Sequence, residues 1–383
     1  MKKSVYFDYA ASTPVDEDVL TAMLPYFSFE FGNPSSIHLY GQAAEAAIEN
    51  ARVICSEILE TQPKNIIFTS GGTESDNLAL RGIAIQRRKL TGADEIIISS
   101  VEHHAVSHTA IQLQEEFGFK VVFLPVDGNG MVDPDDVSKR ITTKTALVSV
   151  IYANNEVGTI NPIIEIGRIC QSGEIPFHSD AVQAAAHLPM SLAKDNISLI
   201  SIGAHKMYGP KGIGLLGIKS GIDILSIQTG GGQENHLRAG TENVPLIVGL
   251  TEAFKKSQTN TESRENELSE MRDQLISGVL EKIPSSKLTG HPTNRLPNHA
   301  SFVFAGVDGN RLLMVLDGMG FACSSGSACK VGSPSPSDVL LAMGYKPELA
   351  LGSLRVTLGK MNSPQNIQSF VSALVIAIGK IQR

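Results

Sequence analysis

The chain has 383 residues, 42% of them hydrophobic and 19% charged, and a formal net charge of −7, which suits a soluble protein of two domains and argues against a nucleic-acid surface, since that needs clustered Lys and Arg. No apolar run approaches the ~20 residues that span a bilayer, and the N-terminus reaches Asp8 before any long apolar stretch, so a membrane span and a secretory signal are not expected and the cytoplasm is the expected location. Four cysteines, Cys55, Cys170, Cys323 and Cys329, are too few and too scattered for a disulfide framework and form no Cys-x-x-Cys metal or redox pair.

From about residue 65 to 230 short apolar runs alternate with helical stretches, the pattern of a mostly parallel sheet covered on both faces. The first strand, 65–68, runs into Ser70-Gly71-Gly72-Thr73 and a helix over 74–88 that Thr73 would cap. A helix N-terminus opened by glycines and a hydroxyl is a phosphate site, and the same residues also make an ordinary cap. It is not a Walker loop, because the Gly-Lys-Ser/Thr ending is missing.

The second strand, 95–99, ends in Glu102-His103-His104 before a helix over 107–117. Either histidine could lie on an aromatic ligand or move protons near neutral pH, or be an idle loop residue. His104 and His108 share helical i, i+4 spacing, but the Glu of a His-Glu-x-x-His zinc motif is absent and no metal site is expected. Strands over 121–124, 146–151 and 176–178 follow; the second leads to the amide-rich Asn154-Asn155-Glu156 and the third to Asp180 and Gln183.

The sixth strand, 197–202, delivers Gly203-Ala204-His205-Lys206, and the seventh spans 214–218. Ligands of open α/β sheets bind beyond the carboxyl ends of such strands. A lysine there, partly buried, loses its charge readily and suits a nucleophile or a Schiff base, although an isolated lysine in a Gly-Pro turn reads as a surface residue. After about residue 250 a polar helical region over 243–283 precedes Pro-containing loops, then elements over 300–304, 309–316 and 365–382. The expected fold is therefore α/β: a large domain with a mostly parallel seven-stranded sheet sandwiched by helices, over 15–260, and a smaller α+β domain from 1–14 and 261–383.

A phosphate cradle, a stacking histidine, a carboxylate and a lysine at the strand ends of one sheet are the set that pyridoxal phosphate (PLP) requires: lysine for the aldehyde, carboxylate for the pyridine nitrogen, dipoles and hydroxyls for the phosphate. With Tyr6-Phe7-Asp8-Tyr9-Ala10-Ala11, Asn33-Pro34-Ser35, Ser70-Gly71-Gly72-Thr73-Glu74, Glu102-His103, Asn155-Glu156-Val157-Gly158, Asp180-Ala181-Val182-Gln183, Ala204-His205-Lys206, Arg238-Ala239-Gly240-Thr241 and Ser324-Ser325-Gly326-Ser327-Ala328-Cys329 in order, the chain resembles the NifS/IscS-type cysteine desulfurases of the class V aminotransferase family, PLP fold type I, over essentially its whole length.

The resemblance implies a homodimer in which Lys206 bears the cofactor, Asp180 holds its ring nitrogen, His103 stacks on the ring, and Asn155 and Gln183 face its hydroxyl. Gly72, Thr73 and His205 would hold the phosphate, with Thr241 reaching the neighbouring subunit's. Arg355, with Asn33 and Asn155, would clamp the carboxylate of L-cysteine; a guanidinium fork suits that group. Cys329, in a small polar loop, would take the sulfur as a persulfide and pass it to acceptors such as an iron–sulfur scaffold or a tRNA-thiolation carrier. Cys323 reads as a packed strand-end residue, and Cys55 and Cys170 lie in helical stretches. Two positions depart from the pattern: Gly203 stands where many relatives carry a serine that donates to the phosphate, and Lys330, after Cys329, would lower the thiol pKa by its charge. A selenocysteine lyase or class V aminotransferase using the same site is the alternative, and a sulfur-relay adaptor retaining only the fold is a second.

Overall fold

The computed structural model describes residues 4–259, 261–326 and 335–382. Its first strand, β1 (Val5–Tyr6), is followed after a long helical stretch by seven strands that form one sheet: β2 (Ile66–Thr69), β3 (Glu95–Ser99), β4 (Lys120–Leu124), β5 (Thr145–Ser149), β6 (Phe177–Asp180), β7 (Leu199–Gly203) and β8 (Gly214–Ile218). The order across the sheet is β2-β8-β7-β6-β5-β3-β4. The pairs from β7 to β4 are parallel, whereas β8 runs antiparallel to both of its neighbours. All seven expected strands are present; β3 and β8 match to the residue, and the ends of the other five shift by at most two residues.

These segments form strands because β-branched and leucine side chains alternate between two buried faces. Ile66, Phe68, Ile97, Val148, Phe177, Ile200 and Leu215 join one core with Cys55 and Leu59 of helix Leu39–Leu59 and Leu250 and Phe254 of helix Val244–Gln258. Their neighbours Ile67, Ile96, Ile98, Leu147, Leu199 and Leu216 point the other way, against Leu78 and Ile83 of helix Gly72–Thr91 and Val106 and Leu113 of helix His104–Phe117. The sheet is thus a middle layer between helices.

Two helix starts differ from expectation. Helix Gly72–Thr91 begins before Thr73, with Gly71 at the cap and no side-chain cap bond; Gly71 has φ +154°, a conformation that a residue without Cβ adopts without strain. Helix His104–Phe117 begins three residues early because the ring Nδ1 of His103 accepts the Ala105 N–H at 3.1 Å, a cap that no Ser, Thr or Asp pattern announces.

A further core forms from the remaining segments. Strands β9 (Ser286–Leu288), β10 (His299–Phe304), β11 (Phe321–Ala322) and β12 (Ser353–Thr357) complete the set; β12-β10-β9 form an antiparallel sheet and β11 pairs with β1. Phe7 packs there with Leu275, Phe302, Phe304, Leu354, Val356 and Phe370, so the N-terminal strand is tied to the C-terminal third of the chain. The polar region 243–283 resolves into Val244–Gln258 and Thr261–Lys282. Among the described residues no helix is long and apolar enough to cross a membrane.

Candidate active site

The carboxyl ends of the parallel strands open onto one cavity of about 520 Å³, a size suited to a small cofactor and substrate. After β2 come Gly72 and Thr73; after β3, His103; after β5, Asn155; all four line it. Asp180 ends β6, Gln183 follows it, and His205 and Lys206 stand in the turn after β7, and these four line the same cavity. Eight residues spread over 135 positions of the chain converge because adjacent parallel strands end on the same edge.

Lys206 is held by backbone oxygens rather than by an acid. Its Nζ donates to Ala10 O at 2.6 Å and Ala11 O at 2.8 Å. Burial lowers its pKa to about 8, the Arg355 charge adds to that, and Asp180 and Asp8 pull the other way. At pH 7 roughly a tenth of the amine is then neutral, against roughly three in ten thousand for an ordinary lysine.

Asp180 Oδ1 accepts the Val182 N–H at 2.9 Å, which leaves Oδ2 for a ligand. Burial raises the pKa of Asp180, and His103, that N–H and Lys206 counter it. Behind it lies Asp76, in the first turns of helix Gly72–Thr91 and fully buried. Burial and then the Asp180 charge drive the Asp76 pKa well above the usual carboxylate range. His178 is neutral beside them: burial lowers its pKa to about 3, and its ring nitrogens meet Ser149 Oγ at 2.8 Å and Ser201 Oγ at 3.0 Å.

His103 is open to solvent on one edge, and its pKa is lowered by packing on the cavity wall, with Asp180 opposing and Lys206, His104 and His108 adding. Since Nδ1 accepts from Ala105, the neutral ring carries its proton on Nε2. Burial, then the charges of Lys206 and Lys211, hold His205 down at about 4, so it too is neutral. Gln183 Nε2 donates to Ala10 O at 2.9 Å.

Three further expected residues do not line this cavity. Arg355, on β12, donates from Nη1 to Asn155 O at 3.0 Å and pairs through Nη2 with Asp8 Oδ1 at 3.0 Å, while its buried Nε has no acceptor among the described residues. Asn33 Oδ1 accepts the Ser35 N–H at 2.9 Å in an exposed loop, and Thr241 is exposed. Cys329 and Lys330 lie outside the described residues. The other thiols are unsuited to attack: burial raises Cys55, Cys170 and Cys323 each to about 12.

Sequence reasoning missed the groups that set this electrostatics. Asp8, Ala10 and Ala11 belong to a quoted motif without an assigned task. Asp76 and Glu102 carry no assigned role in the sequence either. Glu102 in fact accepts from Ser99 Oγ and from the Ile151 N–H at 2.7 Å, with a pKa that burial raises to about 8.

The residues present fit PLP. A cavity-facing carboxylate with one free oxygen stands near an amine of lowered pKa, and the N–H groups of an uncapped helix start face the same space. That helix start is pressed close to the carboxylate turn, since a Cβ on Gly72 would sit 2.5 Å from Val182 Cγ2.

Comparison with known proteins bears on the same region. The aminotransferase class-V family model matches residues 5–370. A cysteine desulfurase IscS from Methanosarcina thermophila is 46% identical over 380 residues, 99% of this chain and 93% of its own. A solved NifS-like protein superposes with a TM-score of 0.91 at 35% identity, covering 98% of this chain and 100% of its own. A structure described as SspA in complex with cysteine superposes at 0.81 and 35% identity, over 92% of this chain and 98% of its own. The chain belongs to the class V aminotransferase family, among its PLP-dependent cysteine desulfurases of the NifS/IscS type.

Proposed function

We propose that the chain converts L-cysteine to L-alanine and holds the released sulfur as a persulfide on Cys329. The observation that carries the site assignment is Lys206, an amine of lowered pKa in one cavity with the Asp180 carboxylate, whose Oδ1 accepts the Val182 N–H and whose Oδ2 accepts no hydrogen bond from the described residues. Asp180 would hold the cofactor's ring nitrogen, His103 its ring face, Asn155 and Gln183 its hydroxyl side, and Gly72, Thr73 and His205 its phosphate, with Thr241 reaching the phosphate of a second copy. When bound, PLP supplies an electron sink that labilises the substrate's Cα–H and Cβ–S bonds.

The chain's own groups do the rest. Arg355, with an Nε–H that has no acceptor among the described residues, would bind the substrate carboxylate, assisted by Asn155 and Asn33. Lys206 moves the Cα proton, and the Nε2 side of His103 handles the proton of the substrate thiol. Cys329 thiolate then attacks the substrate sulfur: an S–S bond forms, the Cβ–S bond breaks with its electron pair left on carbon, and a proton completes the methyl group of alanine.

This reading includes a homodimer, a smaller unit built from 1–14 and 261–383 beside a larger unit over 15–260, and delivery of sulfur to an acceptor protein such as an iron–sulfur scaffold or a tRNA-thiolation carrier. The dimer is supported by a run of exposed apolar side chains, among them Phe27, Phe29, Phe31, Ile37 and Leu39, with Ile37 93% exposed; patches of this kind mark protein interfaces. The two units are supported by the core that joins Phe7 to residues 268–378.

Alanine and persulfide released from L-cysteine by wild type and Cys329→Ala test the reaction. Wild type should yield both and the variant should lose the protein-bound persulfide. An aminotransferase would keep full turnover without Cys329, and that result would sink the proposal.

A further inference from the structure

A phosphate monoester carries a charge of about −1.5 to −2 at pH 7, and the phosphate end of this cavity is short of positive charge. Thr73 and the N–H groups at Gly71 and Gly72 are neutral, His205 is neutral at about 4, and Lys206 is drawn to Ala10 O and Ala11 O. Glu74, on the same helix turn, is held by Arg238 Nε at 2.8 Å and by the Ser70 N–H at 2.6 Å. The glycine at 203 removes a further donor: a Cβ there would lie 3.5 Å from Gly72 N, where a serine hydroxyl would reach the cradle.

One remaining cation lines the cavity. Lys211 is exposed and makes no hydrogen bond or ion pair with any described residue. The backbone brings it to the phosphate end. Gly214 of β8 pairs with both Gly203 and Thr69, and a Cβ on Gly214 would meet Gly71 C at 2.6 Å. The segment 211–213 therefore runs into β8 beside the start of helix Gly72–Thr91.

Resting on the PLP reading, we propose that Lys211 is a cofactor-phosphate ligand of this chain, supplying by charge the contact that Gly203 cannot supply by hydroxyl. An ammonium is a point charge on a flexible stem and suits a phosphate approached from solvent.

The test is equilibrium binding of PLP and of pyridoxal, which lacks the phosphate, to the apo-protein. Lys211→Gln should weaken PLP by roughly 5- to 30-fold, a charge-assisted contact discounted for exposure, and change pyridoxal less than twofold. The salt dependence of PLP binding should flatten, Lys211→Arg should keep wild-type affinity, and Gly203→Ser added to Lys211→Gln should restore most of the loss. Equal weakening of both ligands, or of neither, overturns the assignment, as does Lys211→Arg behaving like Lys211→Gln. A wild type that binds neither ligand would instead refute the cofactor reading itself.

Discussion

Arg355→Gln tests the charge balance at Lys206. Arg355 lies on β12, 149 positions beyond the lysine, and its charge is the second contribution, after burial, to holding the amine near pH 8. Removing it also frees Asp8, now paired at 3.0 Å, to act on Lys206 without compensation. Both changes favour the ammonium, and with burial unchanged the pKa should rise by about one unit, equivalent to ~1.4 kcal/mol. The neutral fraction at pH 7 then falls from roughly a tenth to roughly a hundredth. The rate at which apo-protein takes up PLP covalently, trapped with borohydride across pH, should show its inflection move from about 8 to about 9 and slow about tenfold at pH 7. Arg355→Lys keeps a charge and should leave the inflection in place. An unchanged or lower inflection in Arg355→Gln would refute the reasoning, because it would mean that the Arg355 charge is not felt at the amine.

Other expectations concern stability. Lys206→Met should stabilise the apo-protein at pH 7 by on the order of 2–3 kcal/mol, since the folded pKa of about 8 lies below the unfolded value; the gain should shrink as pH rises from 8 towards 10.5, which thermal melts across that range would show. Glu156 is buried, accepts from Ser337 Oγ, and has a pKa raised by burial to about 7. The folded state therefore binds more protons than the unfolded one between about pH 4.5 and 7, and wild-type stability should fall through that window. Glu156→Gln should melt like wild type at pH 5 and higher at pH 8, by on the order of 1–3 kcal/mol; no gain at pH 8 would contradict the raised pKa. Glu234 accepts two bonds from Arg52, at 2.9 and 3.0 Å, and the Phe68 N–H at 2.9 Å, with both ionic partners buried. Glu234→Ala should cost about 2–4 kcal/mol by taking from the buried guanidinium its one buried carboxylate, leaving it Ile66 O and the Glu49 carboxylate at 3.1 Å, measured by denaturant unfolding.

Much of the fold is written locally. The runs Ile66-Ile67-Phe68, Ile96-Ile97-Ile98 and Leu199-Ile200 are strands because alternating side chains must be buried on two faces, and periodicity alone carries that information. The strand ends of such a sheet form one edge, so His103, Asp180 and Lys206 could be gathered into one site without coordinates. Helix starts were harder: the caps at 71 and 103 are a glycine and a histidine ring nitrogen, neither of which announces itself as Ser, Thr or Asp does. The partners of the site residues were not legible at all. Arg355 meets Asp8 347 positions away, Lys206 meets Ala10 196 positions away, and Asp76 faces Asp180 from another element.

Side-chain type and spacing by themselves determined the layered sheet, the edge where ligands bind and the chemical identity of the groups there. Only the tertiary structure decided their electrostatics: that burial and the Arg355 charge bring Lys206 down to about 8, that burial and the Asp180 charge raise Asp76 well above the usual carboxylate range, and that Lys211 meets no partner among the described residues. Desolvation and Coulomb interaction depend on distance and burial in space, and neither follows from distance along a chain.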